Sequence, residues 1–255
     1  MQVRHRAGAP VSLTFDNLGE VADLERGQWP ADAPLGRHAS VTRTLPRVLG
    51  LLAAVGLRAT FFVEGLNAEL YPDALREIDA AGHEVALHGW QHERWADLAP
   101  DAERSSLERG VIALDALGLR PAGFRPPGGE LTGASLALLR EYGFEYCSPV
   151  GTAVESRDGI VLLPFRWELI DAFHYLPHFG GLRERFVGSG EPLSPSRLRA
   201  ALDSAFGEPG FLALLFHPFL LEHEERFDVL RWAVERVRDR CAPCREVARA
   251  FTAAG

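Results

Sequence analysis

Short apolar runs alternate with longer amphipathic stretches along almost all of this 255-residue chain, and that alternation restricts it to repeated strand–helix units around a parallel sheet, an α/β fold. Apolar runs at residues 11–15, 59–63, 84–87, 123–125, 144–147, 160–163 and 212–216 read as strands. Stretches 40–57, 72–81, 102–118, 133–142, 195–206 and 226–240 carry helical periodicity. Gly56, Gly82, Gly118 and Gly143 each precede a return to apolar sequence, the expected glycine signal just past a helix. With 47% hydrophobic residues, one core and one domain over residues 1–255 are expected, with residues 151–194 as an irregular insertion packed over one end of the sheet.

The composition excludes several functions. A formal net charge of −8 removes the broad attraction that nucleic acid or an anionic membrane would need, so a small neutral or polar substrate is expected, with homo-oligomerisation left open. All 27 basic residues are arginine, so no Schiff-base, pyridoxal-anchoring or phosphate-loop lysine exists. No apolar run approaches the roughly 18 residues of a membrane span, and no apolar segment follows the charged N-terminus, which leads to the expectation of a cytoplasmic protein. The odd thiols Cys147, Cys241 and Cys244 do not form a secreted disulfide framework, and the lone Cys241–Cys244 spacing reads as incidental.

Parallel sheets place their chemistry at the carboxyl ends of strands. The first strand runs into Asp16-Asn17, which is equally the start of an ordinary Asx turn. The third delivers His88 and His92, four residues apart, which lie on one face and can share a metal if the segment turns helical. A second pair at this spacing, His174 and His178, contains Pro177 and is not counted as a ligand pair. The fourth strand ends in Arg125 before Pro126-Pro127-Gly128-Gly129, and the last ends in His217, either a core histidine or an acid/base group.

These residues together resemble the polysaccharide deacetylases, the NodB-homology or carbohydrate esterase family four domain. Thr14-Phe-Asp16-Asn17 is similar to the family's Thr-Phe-Asp-Asp, His88-Gly-Trp-Gln-His92 to its metal-binding His-x-x-x-His, Arg125-Pro-Pro-Gly128 to its arginine motif and Leu214-Leu-Phe-His217 to its closing motif. Trp167 with Asp171 is the best match to a looser aromatic-acidic motif. The resemblance implies a single distorted (β/α) barrel of about seven parallel strands and hydrolysis of an acyl amide. Carried over residue by residue, Asp16 is the base, His217 the acid, Arg125 tunes Asp16 and Asp171 orients His217. His88, His92 and Asn17 hold a divalent metal, zinc by expectation, and Trp90, Pro127, Gly128 and Trp167 contact substrate.

Asn17 stands where the family's metal triad has a carboxylate. An amide oxygen can coordinate but carries no charge, so such a site should hold a dication less tightly. Three readings stay open: Asn17 ligates, Asp16 or Glu20 moves onto the metal, or the site works without one. Metal binding is favoured, because two correctly spaced histidines otherwise lack a purpose. The leading function is N-deacetylation of a sugar-derived or small acyl amide; the alternatives are an allantoinase-like cyclic-amide hydrolase and a non-catalytic carbohydrate-binding relic.

Overall fold

Eight strands form one sheet in the computed structural model, which describes residues 9–254. They are β1 (Val11–Asp16), β2 (Thr60–Val63), β3 (Glu84–Leu87), β4 (Gly123–Phe124), β5 (Tyr146–Cys147), β6 (Glu155–Arg157), β7 (Ile160–Leu162) and β8 (Leu212–Phe216), in the order β6-β7-β5-β4-β3-β2-β1-β8. All seven expected strands occur and pair in parallel. The sheet does not close, since β6 and β8 are its edges. It nevertheless curls: Arg125 at the end of β4 reaches the side chains of Thr14 and Asp16 on β1, three strands away, at 2.9 and 2.7 Å. This is the incomplete barrel that the resemblance implies.

The helices are α1 (Val21–Glu25), α2 (Leu45–Val55), α3 (Asn67–Leu70), α4 (Pro72–Ala80), α5 (Pro100–Asp115), α6 (Ser135–Glu141), α7 (Asp171–Tyr175), α8 (Gly180–Val187), α9 (Pro195–Ala205), α10 (Glu224–Val237) and α11 (Cys244–Ala254). The six expected from periodicity are present, the first with a π turn at Ser40–Thr44 before α2. Gly56, Gly82, Gly118 and Gly143 all have positive φ, as a helix-ending glycine requires. Among the described residues no helix is long and apolar enough to cross a membrane.

The expectation of an irregular insertion at residues 151–194 is corrected. This stretch contains the antiparallel β6–β7 hairpin as well as α7 and α8. Asp158 and Gly159, with φ of 52° and 81°, form its two-residue turn, and an Asp-Gly pair is the composition such a turn demands. The exposed edge strand carries Glu155 and Arg157, which pair with each other. Charges of this kind discourage edge-to-edge association.

The two faces of the sheet have different contents. The large core lies between the sheet and its surrounding helices, whereas Phe62, Ala86 and Tyr146 form a smaller cluster with Cys244 and Ala248 of α11. Below that cluster Glu84 accepts hydrogen bonds from Thr60 Oγ1 (2.9 Å), the Arg245 amide (2.9 Å) and Tyr146 Oη (3.0 Å). The carboxylate thus sits at the N-terminus of α11, where the helix dipole favours it. Cys241 and Cys244 are free thiols that burial pushes up to about 12 and about 11, so neither carries thiolate chemistry.

Behind the carboxyl end of β2 the loop touches α5 directly. A Cβ on Gly65 would fall 2.5 Å from the Gly110 Cα and 2.9 Å from the Trp90 ring. Backbone cannot yield as a flexible side chain does, so Gly65→Ala is expected to destabilise the protein by about 1–3 kcal/mol in urea unfolding. An unchanged midpoint would show that α5 can move away.

Candidate active site

Asp16 ends β1 and Arg125 follows β4, and both are buried. Arg125 Nη1 donates to Asp16 Oδ1 at 2.7 Å and to Thr14 Oγ1 at 2.9 Å, while Nη2 donates to Ser148 Oγ at 2.9 Å. Its guanidinium lies 4.0 Å from the Phe62 ring centroid and 5.2 Å from that of Phe165. The arginine therefore fixes one oxygen of Asp16 and leaves Oδ2 facing the site.

His217 follows β8, and Asp171 opens α7. His217 Nδ1 lies 2.6 Å from Asp171 Oδ1, and the His217 amide donates to Oδ2 at 2.8 Å. The Ala172 amide donates to Oδ1 at 2.6 Å, so both carboxylate oxygens are engaged. A carboxylate only accepts, so the shared proton is on Nδ1 and His217 Nε2 is left for other partners. The match of Trp167 and Asp171 to the looser motif thus places Asp171 where orienting His217 requires it.

His88 and His92 come together with ring centroids 4.9 Å apart, without the segment turning helical. Left-handed backbone at Gly89 (φ 73°) and His92 (φ 70°) turns the loop instead. Glu93 holds the turn by accepting from the Trp90 amide at 3.0 Å and from Ser106 Oγ at 3.2 Å. His88 Nδ1 must donate to the Arg125 carbonyl at 2.8 Å. Burial holds His88 down at about 3 and His92 well below the usual histidine range, so both rings are neutral.

The proposed substrate contacts divide. Trp90 is buried beneath the Arg109 guanidinium (4.1 Å) and beside Gly65, so it supports the loop and does not line an open cleft. Pro127 is buried too, whereas Gly128 is exposed with φ 83°. Trp167 is half-buried in an aromatic group with Phe165 and Phe179. His174 is buried with Nε2 on the Glu168 carbonyl, and α7 ends before Pro177, so the second histidine pair is not a ligand pair. Glu20 is also unavailable, because Oε1 accepts from the Gly36 amide and Oε2 from Tyr71 Oη. The sequence motif included Thr14 without a role beside Arg125, while Ser148 and Phe165 around Arg125 were missed, as was Glu64, the residue that follows β2 as Asp16 closes β1.

Known proteins resemble this chain in sequence and in fold. The sequence profile described as "Polysaccharide deacetylase" matches residues 5–147, more than half of the chain. The chain belongs to the polysaccharide deacetylase family. A structure from Mycobacterium smegmatis, assigned to the polysaccharide deacetylases, superposes with TM-score 0.82 at 30% identity over 99% of this chain and 93% of that one. The Puue allantoinase shares the fold, with TM-score 0.74, 19% identity and coverage of 98% and 93%. A peptidoglycan deacetylase of Helicobacter pylori is 33% identical over 103 residues, 40% of this chain and 35% of that protein. A peptidoglycan deacetylase-like protein of Gibberella zeae is 34% identical over 39% of this chain and 30% of its own length. The matched segment thus spans about a third of the length of these curated relatives.

Polysaccharide deacetylases of the usual pattern hold a metal here, and the donors present fit a divalent cation. With its proton on Nδ1, neutral His88 offers the Nε2 lone pair, and Asp16 Oδ2 is a second acceptor 3.7 Å from it. Two acceptors facing each other need a cation or a proton between them. The Asn17 side-chain oxygen is buried without a hydrogen-bond partner, a cost that a ligand would remove. Among the described residues no three His, Cys, Asp or Glu side chains gather closely enough to hold a metal, so a cation here would need a donor of another kind beside the histidines, such as the unpartnered Asn17 oxygen.

A buried neutral histidine links stability to pH. Unfolding restores the ordinary value of 6.5, so below it the unfolded chain binds more protons and the stability that His88 contributes is lost as pH falls toward about 3. Between about pH 7.5 and about pH 5 this amounts to about 2 kcal/mol. His88→Asn is expected to flatten the pH dependence of urea unfolding by that amount in chelator-treated protein. Parallel profiles would show that the ring is not held neutral.

Proposed function

We propose that the chain is an amide hydrolase that removes an acyl group, in the first place acetyl, from the nitrogen of a sugar-derived or small substrate. The observation that carries this is the presence of two separately oriented groups able to transfer protons, Asp16 on Arg125 and His217 on Asp171, at the strand ends that also carry His88 and His92. Asp16 Oδ2 lies 3.7 Å from His88 Nε2, and His88 packs against His92, which supports reading these groups together with His217 as one site. A carbohydrate-binding relic needs neither oriented pair.

A divalent cation held by His88, His92 and Asn17 would polarise the acyl carbonyl and make the attacking water more acidic. Asp16 Oδ2, the oxygen free of Arg125, takes the water's proton as the new C–O bond forms. Arg125 keeps the carboxylate aimed, because it is itself fixed by Thr14 and Ser148. His217 Nε2 then gives a proton to the departing nitrogen as the C–N bond breaks, and Asp171 supports the protonated ring and its orientation. One proton is taken and one is given, and the products are a carboxylic acid and an amine. The relatives that are a chitin deacetylase of Saccharomyces cerevisiae and a peptidoglycan deacetylase of Helicobacter pylori support a sugar-derived amide.

Acyl release from N-acetylated sugars, from small acyl amides and from cyclic ureides tests the reading. His217→Ala is expected to lower kcat on an unactivated amide by about 10²–10⁴-fold with little change in KM, and to affect an ester with a good leaving group much less. Equal losses on both substrates together with a large fall in melting temperature would make His217 a core residue. Asp16→Asn should lower turnover of both substrates, because the water must be deprotonated in either case.

A further inference from the structure

We propose that Glu64 supplies, beside the cation site, the negative charge that the amide of Asn17 lacks. The inference rests on the cation-assisted reading above, and it starts from the register of the sheet. β2 and β3 pair Phe62 with Ala86 and Val63 with Leu87, and the ladder continues past both strands through His88 N to the Val63 carbonyl and Gly65 N to the Gly89 carbonyl. Glu64 is therefore level with His88 on the neighbouring strand, where paired backbones run about 4.8 Å apart. Side chains alternate along a strand, and Phe62, two residues earlier, faces the interior against Arg125. Glu64 continues that row toward the mouth, as His88 continues the row of Ala86.

Its surroundings are those of a group awaiting a partner. Glu64 is 0% exposed; Oε2 accepts from Asn67 Nδ2 at 2.8 Å, but Oε1 has no hydrogen-bond partner. Asn67 Nδ2 also donates to the carbonyl of Leu18, at 3.0 Å, which ties the pair to the residue just after Asn17. The contrast with Glu84 on the same face is informative. Glu84 is buried as deeply, yet both of its oxygens are satisfied and it serves the fold. A carboxyl left half-satisfied in the interior costs stability without return unless a ligand completes it.

The charge balance names that ligand. Imidazole and amide groups that donate a lone pair bring no charge, so His88, His92 and Asn17 supply none, and Asp16 is already paired with Arg125. A dication there has no carboxylate of its own to balance it. Burial first, and then the carboxylates of Asp16 and Glu93, disfavour the charged form of Glu64, whereas a cation alongside favours it. What the inference requires is the charge of Glu64 near the cation; a direct bond to it is not needed. The nearly isosteric amide at position 64 removes that charge and little else.

Zinc affinity of the full chain, measured by chelator competition, tests this without recourse to turnover. Glu64→Gln is expected to weaken zinc binding by about 10–100-fold, the usual scale for a group that supports a ligand set, with the melting temperature of zinc-free protein unchanged. Asn17→Asp introduced on top of E64Q should recover most of the loss, and should gain less in the wild-type background, where Glu64 already provides the charge. E64Q that binds zinc as wild type does, or an equal gain from N17D in both backgrounds, overturns the proposal. Should E64Q not fold, N17D alone decides, since a gain above about 100-fold would mean that no charge was present before. Wild-type protein that binds no zinc overturns the proposal and the cation-assisted reading together, while acyl release by that same protein would leave the hydrolase reading standing.

Discussion

The buried Arg125–Asp16 pair organises the carboxyl ends of the strands. A guanidinium that is 1% exposed joins β1, through Thr14 and Asp16, to Ser148 after β5, and it lies over Phe62 of β2. Such a pair is weak support for a fold, because its desolvation cost rivals its attraction and an apolar pair of similar volume does as well or better. Removing one partner is a different matter, since it strands a charge in the interior. The pair therefore makes sense as a device for holding one carboxylate in one orientation, and the curl of the sheet is what brings the two residues together.

Asp171 is held by comparable means from a more distant part of the chain. The segment that carries it is fixed by Arg183, which is 0% exposed and donates to the carbonyls of Phe173, Leu176, Gly190 and Glu191. Backbone that would otherwise end in unpaired carbonyls is thus gathered around one side chain, and α7 presents Asp171 to His217. Asp16 and His217 are in this way each oriented by an almost fully buried partner, Arg125 and Asp171.

The strand ends were legible in the sequence because chemistry concentrates there and because residue identity and spacing survive small errors in element boundaries. Asp16, Arg125, His217 and the histidine pair stood out for that reason. The path of the chain between them was less legible: His88 and His92 converge through left-handed residues held by Glu93, and an i, i+4 spacing says nothing of that loop. α1, α3 and α7 escaped because helices of 5, 4 and 5 residues are too short to show a period. The β6–β7 hairpin carried its signal openly in Asp158-Gly159, but a short exposed strand offers no apolar run to frame it. Trp90 looked like a substrate contact because it lies between two candidate ligands, yet position in the chain does not tell which way a ring turns.

Asn17 shows how little of the departure at this position concerns the backbone. Its φ of 56° lies in the left-handed region, which asparagine and aspartate both tolerate better than other residues with a Cβ. Conformation therefore does not explain an amide in place of a carboxylate, and what remains of the difference is one unit of charge. Removing that charge from among three neutral donors weakens the hold on a cation unless another acid stands nearby. Glu64, half-satisfied and level with His88 in the sheet, stands there. Moving a charge from the end of β1 to the end of β2 would keep the total while freeing the position next to Asp16 of a second negative group.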